Sequence, residues 1–73
     1  MPSLMNVPIA TGYIKLDSFL KMINAVCSGG EAKTIIAEGE VSVNGEVEIR
    51  RGRKLYPGDR IRLGECEYLL ISD

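Results

Sequence analysis

Apolar residues near the start of the chain recur at helical spacing. They lie three and four positions apart, at Leu16, Phe19, Leu20, Ile23 and Val26. Such spacing places one apolar stripe along a helix. Asp17 falls in the first turn, where a carboxylate favours the positive end of the helix dipole. The pattern predicts a first helix from about Leu16 to Val26.

A second helix is predicted shortly after the first. Ser28 and Glu31 match the capping box, in which each side chain accepts a hydrogen bond from a backbone N–H of the other residue. The apolar residues that follow again share one side of a helix. Gly39 is expected to end it, because glycine commonly stands just past a helix C-terminus.

Beyond the second helix the hydrophobic period becomes two, which is typical of β-strands. Val41 and Val43 alternate with polar residues, and Asn44-Gly45 is the strongest short signal of a tight hairpin turn. Val47 and Ile49 continue the alternation on the return strand. All four apolar residues are therefore expected to face the two helices.

The rest of the chain predicts short strands separated by turns. Pro57-Gly58-Asp59 is a turn signal, the alternating stretch 60–63 follows it, and residues 66–71 form a last strand. Residues 1–12 have little pattern and are interpreted as a flexible N-terminal arm, which leaves residues 13–73 as a single domain. The layout predicts an α+β fold with two short helices packed on a small, mostly antiparallel sheet.

The composition agrees with one small folded domain. The chain has 73 residues, of which 45% are hydrophobic, and this content argues against disorder. It contains no run of about eighteen apolar residues and no signal-peptide pattern, so we expect no membrane segment and a cytoplasmic location. Cys27 and Cys66 match no zinc spacing and are expected to be reduced thiols, packed as small apolar side chains.

The charged residues are unevenly distributed along the chain. The net charge is only −1, but glutamates dominate the middle of the chain and cations dominate residues 50–62. The cations of this segment are Arg50, Arg51, Arg53, Lys54, Arg60 and Arg62. A polyanion is attracted by the local charge of a surface, so one basic face matters more for its binding than the net charge of the chain.

Catalysis is not expected from this sequence. The chain has no histidine, and neither cysteine has a recognisable base to activate it. The glycines do not match a phosphate-binding loop followed by Lys and Ser or Thr. We therefore predict a protein that is not an enzyme and that has no metal site, no cofactor and no small-molecule substrate.

The basic loop, defined as residues 50–54 (Arg-Arg-Gly-Arg-Lys), is the strongest candidate for a binding site. Arginine holds phosphate oxygens in pairs with its planar fork, and lysine adds a point charge. Ser28-Gly29-Gly30 offers free backbone N–H groups at a helix start, and Lys33 adds charge one turn further along. Plainer interpretations remain open, namely a solvated loop and simple helix capping.

The tyrosines have two interpretations. Tyr13, Tyr56 and Tyr68 could stack on nucleobases, but packing in the core or at its rim is the more ordinary role for each. Tyr56 is the best candidate for stacking, because it borders the basic loop.

The order of these motifs resembles the S-four-like RNA-binding domain, which is named after small-subunit ribosomal protein S-four. The motifs are Leu16-Asp17-x-x-Leu20, Ser28-x-x-x-Ala32-Lys33, Ile36-x-x-Gly39-x-Val41-x-Val43-Asn44-Gly45 and Pro57-Gly58-Asp59-x-Ile61. The similarity extends from about Lys15 to Ile71, and residues 39–45 are its most specific part. Short stand-alone bacterial members look most similar, since they carry Ser-Gly-Gly or Ser-Gly-Ala and then Arg-Arg-Gly-Arg-Lys after the hairpin.

The resemblance implies an alpha-L motif that binds structured ribosomal or transfer RNA, mainly through phosphates, in ribosome assembly or translation. It implies ribosomal association, and we expect a monomer. The expected contact residues are Arg50, Arg51, Arg53, Lys54, Lys33, Ser28, Gly29, Gly30 and Lys15. Many family members have an arginine directly after the serine, where this chain has Gly29. Either the backbone N–H groups of Gly29 and Gly30 replace that contact, or binding is weaker and relies on the basic loop.

A different class of function also fits the sequence. An acidic face around Glu38, Glu40, Glu46 and Glu48 could dock a basic partner such as a ribosomal protein. The basic loop would then serve solubility only. Titration with RNA at two salt concentrations separates the two hypotheses, because only the first predicts salt-dependent binding of RNA.

Overall fold

The computed structural model describes residues 3–73, which form two helices and seven strands. The helices are α1 (Leu16–Met22) and α2 (Gly29–Ala37). The strands are β1 (Ser3–Ile9), β2 (Ile14–Lys15), β3 (Val41–Val43), β4 (Glu46–Val47), β5 (Lys54–Leu55), β6 (Arg60–Leu63) and β7 (Cys66–Ser72). Neither of these helices is long and apolar enough to cross a membrane.

Five strands form one sheet in the order β1-β7-β6-β3-β4. Adjacent strands of this sheet are antiparallel, except that β1 runs parallel to β7. Strands β2 and β5 form a separate antiparallel ribbon. The predicted α+β fold with a mostly antiparallel sheet is confirmed.

The two helices and one face of the sheet enclose the core. The fully buried side chains include Leu16, Phe19, Leu20, Ala32, Ile36, Val41, Val43, Leu55, Ile61 and Leu70. Phe19 of α1 meets Tyr68 of β7 edge to face, with ring centroids 5.7 Å apart. Burying one large apolar side chain of this kind stabilises the fold by about 1.5–3 kcal/mol. The helices are therefore fixed on the sheet by packing of the predicted apolar stripes.

Helix α1 ends earlier than predicted. It stops at Met22, and Asn24 takes a left-handed conformation with φ of 61°. Asparagine tolerates this conformation better than most residues, so it ends the helical turn. Val26 is nevertheless buried, as the apolar stripe predicted, but it lies outside the helix.

Helix α2 begins and ends where the sequence predicts. The Ser28 hydroxyl accepts a hydrogen bond from the Glu31 N–H at 3.3 Å, while the Glu31 carboxylate accepts one from the Cys27 N–H. The Glu31 carboxylate thus binds the N–H of Cys27, the residue before the cap, and not that of Ser28 as in a standard capping box. Gly39 has φ of +77° and its N–H donates to the Ile36 carbonyl, which closes the helix end.

The interpretation of residues 1–12 as a flexible arm is wrong for residues 3–9. These residues form β1, which pairs with β7 over its whole length. Ile9 is buried and Val7 packs against the core. Pro8 lacks an N–H but is tolerated because β1 lies at the sheet edge. Residues 1 and 2 of the predicted arm lie outside the described residues.

The hairpin is confirmed, but the predicted facing of its return strand is wrong. Val41 and Val43 are buried, whereas Val47 and Ile49 are 62% and 65% exposed. The two-residue turn pairs Val47 with Ser42, which lies between the two inward-facing valines. Because cross-strand partners share a face, Val47 points away from the helices.

The two cysteines lie at the surface. Cys66 is the first residue of β7 and Cys27 directly precedes the cap of α2. Both thiols are free and exposed. The expectation that they pack as buried apolar side chains is therefore wrong.

Candidate nucleic-acid interface

The basic loop is held against the first turn of α1. Helix α1 has no side-chain cap at Lys15, so its first N–H groups need other acceptors. The Arg53 carbonyl accepts a hydrogen bond from the Leu16 N–H at 2.9 Å, and the Arg51 carbonyl accepts one from the Asp17 N–H at 3.0 Å. The backbone of the loop is thus fixed by the helix that it caps.

Glu48 binds two of the loop's arginines. Its side chain is only 7% exposed, and it accepts hydrogen bonds at 3.0 Å from the backbone N–H, Nε and Nη2 of Arg50. It also accepts one from Nη1 of Arg53 at 2.9 Å. Hydrogen bonds from Arg50, and then from Arg53, lower the pKa of Glu48 to about 2 despite its burial. The same contact raises the pKa of Arg50.

This ion-pair cluster corrects one hypothesis from the sequence and bears on an interpretation that the sequence left open. Glu48 is not part of an acidic surface face, because it lies inside the molecule with its charge paired. The loop is also more than a solvated connection, since Arg50 and Arg53 satisfy a buried carboxylate. Arg50 can still donate hydrogen bonds to a ligand. Its side chain is 73% exposed, and only two of its five guanidinium N–H groups donate to Glu48.

Two lysines face each other at the base of the loop. In the β2–β5 ribbon, Lys15 lies directly opposite Lys54, and both are exposed. Like charges directly opposite one another destabilise a strand pair. The Lys54 ammonium lies 4.9 Å from the centroid of the Tyr13 ring, where the ring face attracts a cation. A bound anion would relieve the remaining repulsion, so this pair is suited to a phosphate.

The other predicted contact residues lie on α2. Ser28 caps the helix, Gly29 and Gly30 form its first turn, and Lys33 is exposed one turn further. A Cβ added at Gly29 would meet no atom within 4 Å, and one at Gly30 only the Ser28 hydroxyl at 3.9 Å. The structure therefore brings Lys15 and the basic loop together and leaves the α2 residues as a separate, open helix start.

Arg60 and Arg62 belong to a different surface. Both flank the buried Ile61 in β6 and so point to the sheet face away from the helices. An open cleft of about 310 Å³ lies there, lined by Ser42, Asn44, Gly45, Arg60, Arg62 and Glu67. Arg60 pairs with Glu67 at 3.4 Å, and Arg62 donates from Nε to the Gly64 carbonyl. The cationic segment of the sequence is thus divided between two faces.

The tyrosines are also divided. Tyr68 is buried, so its expected packing role is confirmed, and burial raises the pKa of its hydroxyl. Tyr13 and Tyr56 are exposed beside the ribbon, with ring centroids 6.1 Å apart. Sequence reasoning missed Glu48, which organises the loop. It considered Tyr13 but favoured Tyr56 for stacking, and the structure places the two rings side by side.

Comparison with known proteins shows the family of this chain. A sequence model described as the S4 domain matches residues 7–71. The chain is 47% identical over 57 residues to the probable ribosome maturation protein RlbA of Bacillus subtilis, covering 78% of this chain and 80% of that protein. It is 39% identical over 49 residues to the putative RNA-binding protein YbcJ of Escherichia coli, covering 67% and 70%. The family match spans nearly the whole described chain, and the chain therefore belongs to the S4 domain family.

Proposed function

We propose that this protein is a non-catalytic, cytoplasmic RNA-binding module that binds structured ribosomal or transfer RNA mainly through its phosphates. The family and the names of the two relatives support an RNA-related role in ribosome maturation. The observation that carries the proposal is the Lys15–Lys54 pair, exposed beside a basic loop whose backbone is fixed. The protein acts as a monomer and in association with the ribosome.

The preorganisation of the loop supports this function. The two hydrogen bonds to α1 and the ion pairs to Glu48 hold the loop in one shape before any ligand binds. Binding then loses little conformational entropy in ordering the loop. Within residues 3–73, no ion pair engages Arg51, Lys15 or Lys54. These three cations supply the main phosphate contacts, and Arg50 and Arg53 add their remaining N–H groups.

The start of α2 supplies a second contact. The backbone N–H groups of Gly29 and Gly30 are unobstructed by side chains, and a helix N-terminus attracts phosphate. Ser28 holds this turn and Lys33 adds charge to it. Together with the ribbon, this gives roughly four to six phosphate contacts and a strongly salt-dependent affinity.

The test is an RNA titration at several salt concentrations with a triple variant, Lys15→Ser with Arg51→Ser and Lys54→Ser. Arg50 and Arg53 are left in place, because replacing them would leave Glu48 buried and unpaired. Each lost contact should reduce the slope of log affinity against log salt by about 0.7–0.9, so three lost contacts reduce it by about two to three.

Arg62→Ser is the control for the location of the contacts in this titration. It removes a cation from the opposite sheet face and should change the slope little. The proposal is refuted if the triple variant binds structured RNA with the affinity and salt slope of the wild type.

Docking of a basic protein partner is the second candidate. The observation that favours it is the exposure of Val47 in the edge strand β4 and of Ile49 two residues further along, close to the exposed Glu46. Such a partner would remain bound after nuclease treatment and would be lost on a Val47→Ser variant. Glu48 takes no part in this surface, since it is buried.

A further inference from the structure

The outer face of the β2–β5 ribbon carries two tyrosines beside the two lysines. Ile14 pairs with Leu55, and both pack inward against the core. Side chains alternate along a strand, so the residues on either side of this pair project outward. These residues are Tyr13, Lys15, Lys54 and Tyr56. One surface thus presents a pair of aromatic rings next to a pair of ammonium groups.

The two rings lie close to each other and remain open to solvent. Tyr13 and Tyr56 are 42% and 50% exposed, with centroids 6.1 Å apart and ring planes inclined at 48°. The Tyr56 backbone N–H donates to the Asp59 carboxylate at 2.8 Å, and the Tyr13 carbonyl accepts a hydrogen bond from the Thr11 hydroxyl at 2.7 Å. Local hydrogen bonds therefore hold the backbone from which each ring projects.

The combination of aromatic rings and lysines on this surface favours a nucleotide as the ligand. Aromatic rings stack on nucleobases, and lysines attract the phosphates on either side of a base. Apolar peptides also bind aromatic pairs, but they gain nothing from two adjacent lysines. The Lys54 ammonium lies over the Tyr13 ring, so the ring of Tyr56 is the one that a base can cover without displacing a cation.

We propose that Tyr13 and Tyr56 form a stacking platform for an unpaired nucleobase of the bound RNA, with Lys15 and Lys54 holding its flanking phosphates. The base stacks on Tyr56, and Tyr13 forms the side of the platform. This inference rests on the proposed function and adds to it the kind of RNA that is recognised. That RNA carries an unpaired nucleotide next to a helical stem.

The experiment compares two short RNA hairpins that differ in one group. One hairpin carries a bulged adenosine, and the other carries an abasic residue at the same position, which keeps the phosphates but removes the base. Wild type should bind the bulged hairpin about 5- to 150-fold more tightly, the range expected for one stacked base. The Tyr56→Leu variant should lose this preference and keep its affinity for the abasic hairpin.

Tyr56→Phe is the matched variant, because it keeps the ring and removes only the hydroxyl. It should retain the preference for the bulged adenosine. The chain has no tryptophan and Tyr68 is buried, so tyrosine fluorescence of the wild type should be quenched by the bulged hairpin and not by the abasic one.

The outcomes separate this inference from the proposed function. If wild type binds both hairpins equally, or if Tyr56→Leu keeps the wild-type preference, the platform is refuted while salt-dependent RNA binding stands. If wild type binds neither hairpin, both the proposed function and the inference fail. Loss of the preference in Tyr56→Leu but not in Tyr56→Phe supports the platform.

Discussion

Replacing Glu48 by glutamine should destabilise the fold, although a loop glutamate between strands looks dispensable in the sequence. Glutamine keeps the size of the side chain, but it loses the charge and turns an NH₂ group towards two guanidinium groups. Four hydrogen bonds converge on the carboxylate, three from Arg50 and one from Arg53. The substitution therefore weakens all four of these contacts between Glu48 and the basic loop.

The expected loss follows from the exposure of the partners. Hydrogen bonds to charged groups contribute about 1.5–3 kcal/mol when shielded from water. The Arg50 side chain is largely exposed, so its contribution is screened by solvent, whereas Arg53 and the backbone N–H are better shielded. The net loss in unfolding free energy should be about 2 kcal/mol, which lowers Tm by about 8–16 °C in a domain of this size.

The effect should also depend on pH. A carboxyl whose pKa is lower in the folded protein stabilises the fold above its unfolded pKa, and this stabilisation is lost as pH falls through the folded pKa. The pKa of Glu48 falls from 4.5 to about 2 on folding. The difference in unfolding free energy between wild type and Glu48→Gln should therefore be complete above pH 4.5 and shrink as pH falls towards 2.

Urea unfolding followed by circular dichroism, repeated from neutral pH down to acid, measures this difference. Glu46→Gln is the matched control, because Glu46 is exposed and forms no ion pair among the described residues. It should change stability by less than about 0.5 kcal/mol. The reasoning is refuted if Glu48→Gln is as stable as Glu46→Gln at neutral pH, or if their difference does not shrink in acid.

Three further substitutions test other parts of the structure. Gly29→Arg should fit without strain, because a Cβ at that position meets nothing within 4 Å. It should steepen the salt slope of RNA binding by about 0.7–0.9, and an unchanged slope would contradict the proposed contact at α2. Ile9→Ala should lower the unfolding free energy in urea by about 2–4 kcal/mol because β1 belongs to the sheet, while Leu4→Ser at the exposed side should be near neutral. Gly45→Ala should lower the unfolding free energy by about 1–2 kcal/mol, measured in the same way, because φ is +87° at that position; a neutral effect would contradict the tight turn.

Local signals in the sequence predicted the helices and the hairpin well. The capping pair at Ser28, the stop at Gly39 and the turn at Asn44-Gly45 each act within a few residues, so their outcome does not depend on the rest of the fold. Strand β1 was missed because its partner β7 lies about sixty residues away. Pro8 within this stretch also argues against a strand when the sequence is taken alone.

The facing of the return strand could have been predicted from the turn alone. A two-residue turn at Asn44-Gly45 places Val43 opposite Glu46 and Ser42 opposite Val47. The next step brings Glu48 opposite Val41, where the Glu48 N–H donates to the Val41 carbonyl. Glu48 therefore occupies the inward position, and only the arginines of the basic loop make that burial tolerable.

The sequence predicted only part of the candidate site, because contacts between distant segments decide the rest. The cations were correctly located along the chain, but strand alternation assigns Arg60 and Arg62 to the outer sheet face. The opposition of Lys15 and Lys54 depends on a ribbon between segments almost forty residues apart, which no local pattern indicates. The ion pairs of Arg50 with Glu48 likewise required the hairpin register.

Mapping RNA binding by NMR chemical shifts tests the central claim most directly, because a 73-residue chain gives a resolved amide spectrum. Titration with a structured RNA hairpin should shift the amide signals of Lys15, Arg51 and Lys54 strongly, with smaller shifts at Gly29 and Gly30. The shifts should diminish when salt is raised. Shifts confined to the outer sheet face around Arg60 and Arg62, with the basic loop unchanged, would contradict the account.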